Sequence, residues 1–209
     1  MSEPAIVLHG TKLSGHAHRV EMLLRMLGVR YVYRAADAGV RRTPAFLALN
    51  PLGQIPVLED GGLVLADSNA ILVYLARRYD AGGRWLPETP EGAAHVQRWL
   101  SIAAGEVSFG PAAARAIALW NMRPDVDPVR AKVLAGRLFE FMDAHLSSRA
   151  FLAAGHATIA DLACYGYVAR APEGGIELTP YPAVRAWLER VEALPGFEAM
   201  PHSAVPAVA

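Results

Sequence analysis

The chain has 209 residues, 53% hydrophobic and 19% charged, which is enough apolar material for a folded core and not the composition of a disordered protein. Its 20 basic and 20 acidic residues cancel, removing any net attraction to nucleic acid or to an anionic membrane. A single cysteine, Cys164, excludes an internal disulfide and a multi-cysteine metal site. Met1-Ser2-Glu3-Pro4 has neither the basic nor the apolar stretch of a secretory signal. No apolar run approaches the ~20 residues of a membrane span, so a cytoplasmic protein with no membrane partner is expected.

Ala5–His9 is a short apolar run ending at Gly10, which predicts a buried first strand. From Gly15 onward, Val20, Leu23, Leu24 and Leu27 recur at helical spacing, and Gly28 supplies the stop. Tyr31-Val32-Tyr33 reads as a second strand by its aromatic and β-branched content. Thr43-Pro44 opens a short helix that Asn50-Pro51-Leu52-Gly53 closes as a turn. Two strands follow, Ile55–Glu59 and Leu63–Leu65, joined across Asp60-Gly61-Gly62 as a hairpin. Pro56 then falls inside a strand. Proline cannot donate to a sheet ladder, so either this is a harmless edge strand or a cis peptide leaves neighbouring backbone groups free for a ligand. Asp67-Ser68 opens a further helix with Ile71, Leu72, Leu75 and Tyr79 on one face. The order is β-α-β-α-β-β-α.

Beyond Tyr79 the pattern turns helical. Residues 81–90, rich in Gly and Pro, read as a linker between a unit at 1–80 and an all-helical unit at 91–209. Trp99, Leu100, Ile102 and Ala103 begin one long apolar stretch, and Val133, Leu134, Leu138, Phe141 and Met142 mark another. Thr158-Ile159-Ala160-Asp161 fits a helix capping box, and Tyr181-Pro182 starts a helix carrying Val184, Trp187, Leu188 and Val191. Pro201–Ala209 reads as a poorly ordered tail.

Four segments taken together carry a family resemblance: Ser14-Gly15-His16-Ala17-His18-Arg19-Val20, Asn50-Pro51-Leu52-Gly53-Gln54-Ile55-Pro56-Val57-Leu58, Asp67-Ser68-Asn69-Ala70-Ile71, and Thr158-Ile159-Ala160-Asp161. In order and spacing they resemble the cytosolic glutathione S-transferases of bacterial type with a serine at the active site. The resemblance implies a thioredoxin-like N-terminal domain that binds glutathione and an all-helical C-terminal domain that holds an apolar electrophile. It further implies Ser14 as the residue contacting the glutathione thiol. A hydroxyl donor and a helix N-terminus both favour thiolate over thiol. A plain helix N-cap is the other reading of Ser14, and Thr11, His16 and His18 are its nearest rivals.

By the same resemblance the Ile55 backbone, ahead of a cis Pro56, pairs with the cysteinyl unit. Asp67 and Ser68 hold the γ-glutamyl end, and Gln54 meets the glycyl carboxylate with Arg41 or Arg42 as helpers. Many members carry Glu or Gln where this chain has Asp67, and simple helix capping is the other reading of that pair. Glu106, Phe109, Ala113 and Trp120 are implied for the electrophile pocket. Glutathione is the expected co-substrate, with no metal or prosthetic group, and a homodimer is the family's usual assembly. The expected function is thiolate attack on a small apolar electrophile. The alternatives are a non-catalytic carrier of glutathione or apolar ligands, or an isomerase, dehalogenase or peroxidase reaction on the same site. Cys164, beside Leu162 and Tyr165 in an apolar helix, reads as a buried hydrophobe rather than a redox centre.

Overall fold

In the computed structural model, which describes residues 6–203, four strands form one sheet in the order β2-β1-β3-β4. β1 (Ile6–Gly10) runs parallel to β2 (Tyr31–Ala35), as the helix between them requires, and antiparallel to β3 (Val57–Asp60). Ala5, expected in β1, lies outside the described residues. β3 and β4 (Leu63–Ala66) make the expected hairpin, turned by Gly61 and Gly62 at φ of +56° and +94°.

One boundary differs from expectation. β3 starts at Val57, so Pro56 stands just ahead of the ladder rather than within it, and the Ile55-Pro56 peptide is cis. A residue without an N–H cannot open the pairing, so the register begins at the first residue able to donate. Nor is this an edge: β3 lies between β1 and β4.

α1 (Gly15–Met26) is capped by Ser14, whose Oγ accepts from the Ala17 N–H at 3.3 Å, and it buries Val20, Leu23 and Leu24 completely. α2 (Pro44–Leu49) starts at its Thr43 cap and packs Phe46 with Ala36 and Val57 in a small core of its own. α3 (Ser68–Tyr79) buries Ile71, Leu72 and Leu75. This is the thioredoxin-like arrangement, and everything after it is helical.

α4 (Pro90–Ile102) continues through a π-helical turn at Ala103–Val107 towards α5 (Pro111–Trp120). α6 (Pro128–Leu146), α7 (Ile159–Ala169) and α8 (Pro182–Glu192) complete the bundle. α6 buries Ala131, Ala135, Leu138, Phe139 and Met142 but turns Val133 and Phe141 outward. α7 is buried on every side from Ile159 to Val168. It packs against α1, α3 and α4, so one continuous core joins the sheet half to the helical half.

The capping box is formed: the Thr158 N–H donates to Asp161 Oδ2 at 2.9 Å, and the Thr158 hydroxyl accepts from the Ala160 N–H at 3.3 Å. The fully buried Asp161 also accepts from the Leu152 N–H and from Trp187 Nε1, both at 2.9 Å, tying α7 to α8. The expected loose tail is partly corrected. Arg170 donates to the Met200 carbonyl and to the His202 ring, and the Ser203 N–H donates to Glu173 Oε1 at 3.1 Å. Residues 204–209 lie outside the described residues. Among the described residues no helix is long and apolar enough to cross a membrane.

Candidate active site

A cleft of about 870 Å³ opens between the sheet half and the helical half. The end of β1, the loop to α1, the segment ahead of β3 and the start of α3 form one wall; the π turn, α5 and Tyr167 of α7 form the other. Ser14, Gln54, Ile55, Pro56, Asp67, Ser68 and Trp120 all line it. Its charged lining is four basic residues (Lys12, Arg19, Arg41, Arg123) against two acidic ones (Asp37, Asp67), a balance that favours an anionic guest.

Ser14 serves as the N-cap of α1, but capping uses its oxygen only as acceptor. The hydroxyl proton is left to donate. The Tyr167 phenol also lines the cleft, near Ser14 and the His16 backbone. Burial pushes the Tyr167 phenol up, so it stays a neutral donor. The Tyr167 ring sits so close to α1 that a Cβ on Gly15 would meet its Cζ at 2.8 Å. His16 Nδ1 lies 3.4 Å from Ser68 Oγ, and its ring meets Tyr167 edge-on. Burial, with Arg19 and Arg123 nearby, pushes the His16 imidazole down to about 3, which leaves it neutral across the physiological range. His18 turns the other way, its Nε2 reaching the Glu198 carbonyl at 2.8 Å.

β3 begins at Val57, so the Ile55 N–H and C=O lie ahead of the ladder, at a residue that lines the cleft. Gln54 is exposed there, and its backbone carbonyl accepts from Asn50 Nδ2 at 2.9 Å. Arg41 joins this rim; Arg42 does not. Asp67 has φ of +71°, a left-handed backbone that a side chain rarely adopts and that tends to occur at ligand sites. Its Oδ1 accepts from the N–H groups of both Asn69 and Ala70 at 2.9 Å, which caps α3. Its other carboxylate oxygen is free of these bonds, so capping and ammonium binding are compatible. Ser68 is only 4% exposed and sits beneath, at the first turn of α3.

Three residues expected in the electrophile pocket are placed elsewhere. Ala113 is fully buried, packed in the core. Glu106 and Phe109 line a separate groove with Asp125, Asp127 and Arg130. This stretch is not one regular α-helix: a π-helical turn at Ala103–Val107 and a non-helical Gly110 ahead of Pro111 reset its phase. The face that meets the cleft is therefore Ala104, Ser108, Ala112, Ala116 and Trp120, a stripe every four residues with a floor of small side chains.

The sequence reading gave no role to Arg19, Asn69 or Tyr167. Arg19 carried a legible signal, since a charged residue next to Val20 and four before Leu23 stands on the apolar face of α1. It is 2% exposed, and its NH1 donates to Asn69 Oδ1 at 2.9 Å and to Ser68 Oγ at 3.3 Å. Asn69 in turn donates to the Leu100 carbonyl at 3.0 Å. Tyr167 gave no signal, because an aromatic in a fully apolar helix reads as core. Among the described residues no cluster of three His, Cys, Asp or Glu side chains is placed to hold a metal ion.

Residues 8–85 match the glutathione S-transferase N-terminal domain family, and residues 121–195 match the glutathione S-transferase C-terminal domain family. Glutathione S-transferase 3 of Zea mays is 33% identical over 206 residues, covering 91% of this chain and 90% of that protein. The chain belongs to the glutathione S-transferase family. A crystal structure of a glutathione S-transferase from Pseudomonas fluorescens superposes with a TM-score of 0.86 at 33% identity, covering 94% of this chain and 99% of the other. The theta-class glutathione S-transferase of Xanthomonas axonopodis pv. citri, solved with glutathione bound, superposes with a TM-score of 0.82 at 27% identity, covering 92% of this chain and 95% of that one.

Proposed function

We propose that this glutathione S-transferase activates the thiol of glutathione as thiolate and directs it at a small apolar electrophile in the same cleft. The thiol proton leaves to water, a sulfur–carbon bond forms, and the electrophile's leaving group, where it has one, departs with the electron pair of the broken bond. Ser14 donates its hydroxyl proton to the thiolate, and the α1 N-terminus adds its positive end. The Ile55 backbone, Gln54, Asp67 and Ser68 fix the tripeptide. The small-residue stripe on α5, with Trp120, holds the electrophile in reach of sulfur. The observation that carries the reading is the convergence of these groups on one cleft shared by both halves of the chain. We infer in addition a division of the two domains within residues 81–90, a homodimer, and a cytoplasmic setting, all in keeping with the family.

The test is the ultraviolet thiolate absorbance of bound glutathione, followed against pH in wild type, Ser14→Ala and Tyr167→Phe. A thiol titrating about two units below its free value of ~8.5 in wild type, with the band lost in Ser14→Ala and kept in Tyr167→Phe, is the expected result. Loss in Tyr167→Phe alone would transfer the role to that residue. Bound glutathione with an ordinary thiol in all three proteins would favour the carrier reading.

A further inference from the structure

The two walls of the cleft carry their charges unequally. The sheet half supplies Lys12, Arg19, Arg41, Asp37 and Asp67. Each of its cations already has a place. Lys12 Nζ pairs with Glu21 at 2.6 Å, Arg19 holds Ser68 and Asn69, and Arg41 joins the Gln54 rim. The helical half lines the cleft with small residues, Trp120, Met122 and Tyr167, and with one charged residue, Arg123.

An unusual backbone brings Arg123 to that wall. Asn121 and Arg123 have φ of +50° and +71°, so the chain enters the left-handed region twice just after α5. A long side chain rarely takes that conformation, and such strain is concentrated where a side chain serves a site. Asp125 holds the guanidinium from one side, accepting from Nε and from NH2 at 3.2 Å each. Asp125 itself lines the neighbouring groove rather than the cleft. NH1 is left with no hydrogen bond among the described residues. The Arg123 side chain is 29% exposed and that of Asp125 63%, so water screens the pair and the carboxylate offsets the guanidinium only in part. The remaining charge is felt at His16, beside Ser14, where it helps to keep the imidazole neutral. Arg123 thus stands within electrostatic reach of the place where the sulfur would react.

We propose that Arg123 selects the electrophile, an aromatic ring with an anionic substituent, which NH1 receives while the ring lies along Trp120 and the small-residue floor. The inference rests on the transferase reading above and deepens it by naming the substrate class. A planar ring suits the exposed indole, and a guanidinium edge suits a carboxylate. The apolar floor alone would take any hydrophobic guest of the right size. One cation at its edge makes the choice.

4-Chloro-3-nitrobenzoate and 4-chloro-3-nitrobenzamide, which differ only in that substituent, test it. In each, the thiolate sulfur bonds to the ring carbon that bears chlorine, and chloride leaves with the electron pair of its bond. kcat/KM for both, each divided by its uncatalysed rate constant with glutathione, is compared in wild type, Arg123→Met and Asp125→Asn. Calorimetry with the two glutathione conjugates reads the same preference without turnover. Wild type is expected to favour the carboxylate about tenfold in both readouts, the lower end for a charge-assisted hydrogen bond because the group is part-exposed. Arg123→Met is expected to lose the preference. Asp125→Asn, which removes the competing carboxylate, is expected to enlarge it. A merely structural pair would make both variants fall together, on both substrates alike, and that pattern would overturn the proposal. So would a wild type that binds the two conjugates equally. A wild type that prefers the anionic conjugate yet turns over neither chloride would uphold the anion site at Arg123 and overturn the transferase reading instead.

Discussion

His16 shows how a single residue in this cleft turns burial into pH dependence. Its imidazole is pushed down to about 3 in the folded protein, first by burial and then by Arg19 and Arg123, against an ordinary value of 6.5. The unfolded chain therefore binds a proton that the folded chain refuses. Its contribution to stability is complete above pH 6.5 and is lost progressively as pH falls from there towards 3. His18 and His145 are shifted the same way by burial and add to the slope. Urea unfolding at pH 7, 6 and 5 should show wild type losing stability at each step and His16→Gln losing less; parallel losses would remove His16 as a source. At this scale the sequence was legible in part. That Ser14, Asp67 and Ser68 stand at helix starts could be read, because capping asks for these residue types, and the fold brings the three to one cleft. The protonation of His16 could not be read, since it depends first on burial, which the tertiary packing decides, and then on Arg19 and the sequence-distant Arg123.

Among the elements, the helix running from α4 through the π turn into α5 decides what the cleft can hold. An unbroken α-helix would have presented a different face; the expected set of Glu106, Phe109, Ala113 and Trp120 came from the family resemblance, which says nothing of the helix's phase here. With the π turn and the break at Gly110, residues 104, 108, 112, 116 and 120 line the cleft instead. No residue type in Ala103-Ala104-Gly105-Glu106-Val107 signals a π turn, so the pocket was the least legible part of the fold. The strands, hairpin and caps were legible because each carries its own local chemistry: glycines at positive φ, and threonine, serine or aspartate at helix starts. Ala116→Phe should fill the cleft and lower turnover of a bulky aryl electrophile by about tenfold or more, in line with the sensitivity of packed sites to added volume. Glutathione affinity should be unchanged. Phe109→Ala, in the separate groove, should change neither quantity. Steady-state kinetics with calorimetry of glutathione would reverse the register argument if the two variants exchanged behaviour.

In the whole molecule, Arg115 is the knot between parts distant in sequence. Only 1% exposed, it donates from Nε to Glu173 Oε2 at 2.6 Å, from NH1 to the Leu13 carbonyl at 3.0 Å and from NH2 to Ser203 Oγ at 3.1 Å. The loop that carries Ser14 is thus fastened to the helical half and to the described end of the chain by one side chain. Arg115→Met removes the closest charge partner of the buried Glu173, leaving it the Ser203 N–H at 3.1 Å and Arg170 and His202 at 3.7 Å, and should cost about 3 kcal/mol. Arg115→Met with Glu173→Leu should regain most of that loss in urea unfolding, because an apolar pair replaces a buried ionic one. If the double variant is no more stable than the single, the contact with Leu13 outweighs the ion pair. None of this could be read from the sequence: the two-part architecture follows from the change of pattern at Tyr79, but the bonds holding the parts together join residues 58 to 102 positions apart. Cys164 lies at the same junction, fully buried against the Trp99 carbonyl, with burial pushing its thiol up to about 12. On the function proposed above, the protein would meet electrophiles throughout its working life, and a reactive thiol of its own would be open to them. Sealed in the core and held as thiol, Cys164 offers such electrophiles no thiolate, so the chain keeps its own sulfur nucleophile out of the proposed reaction.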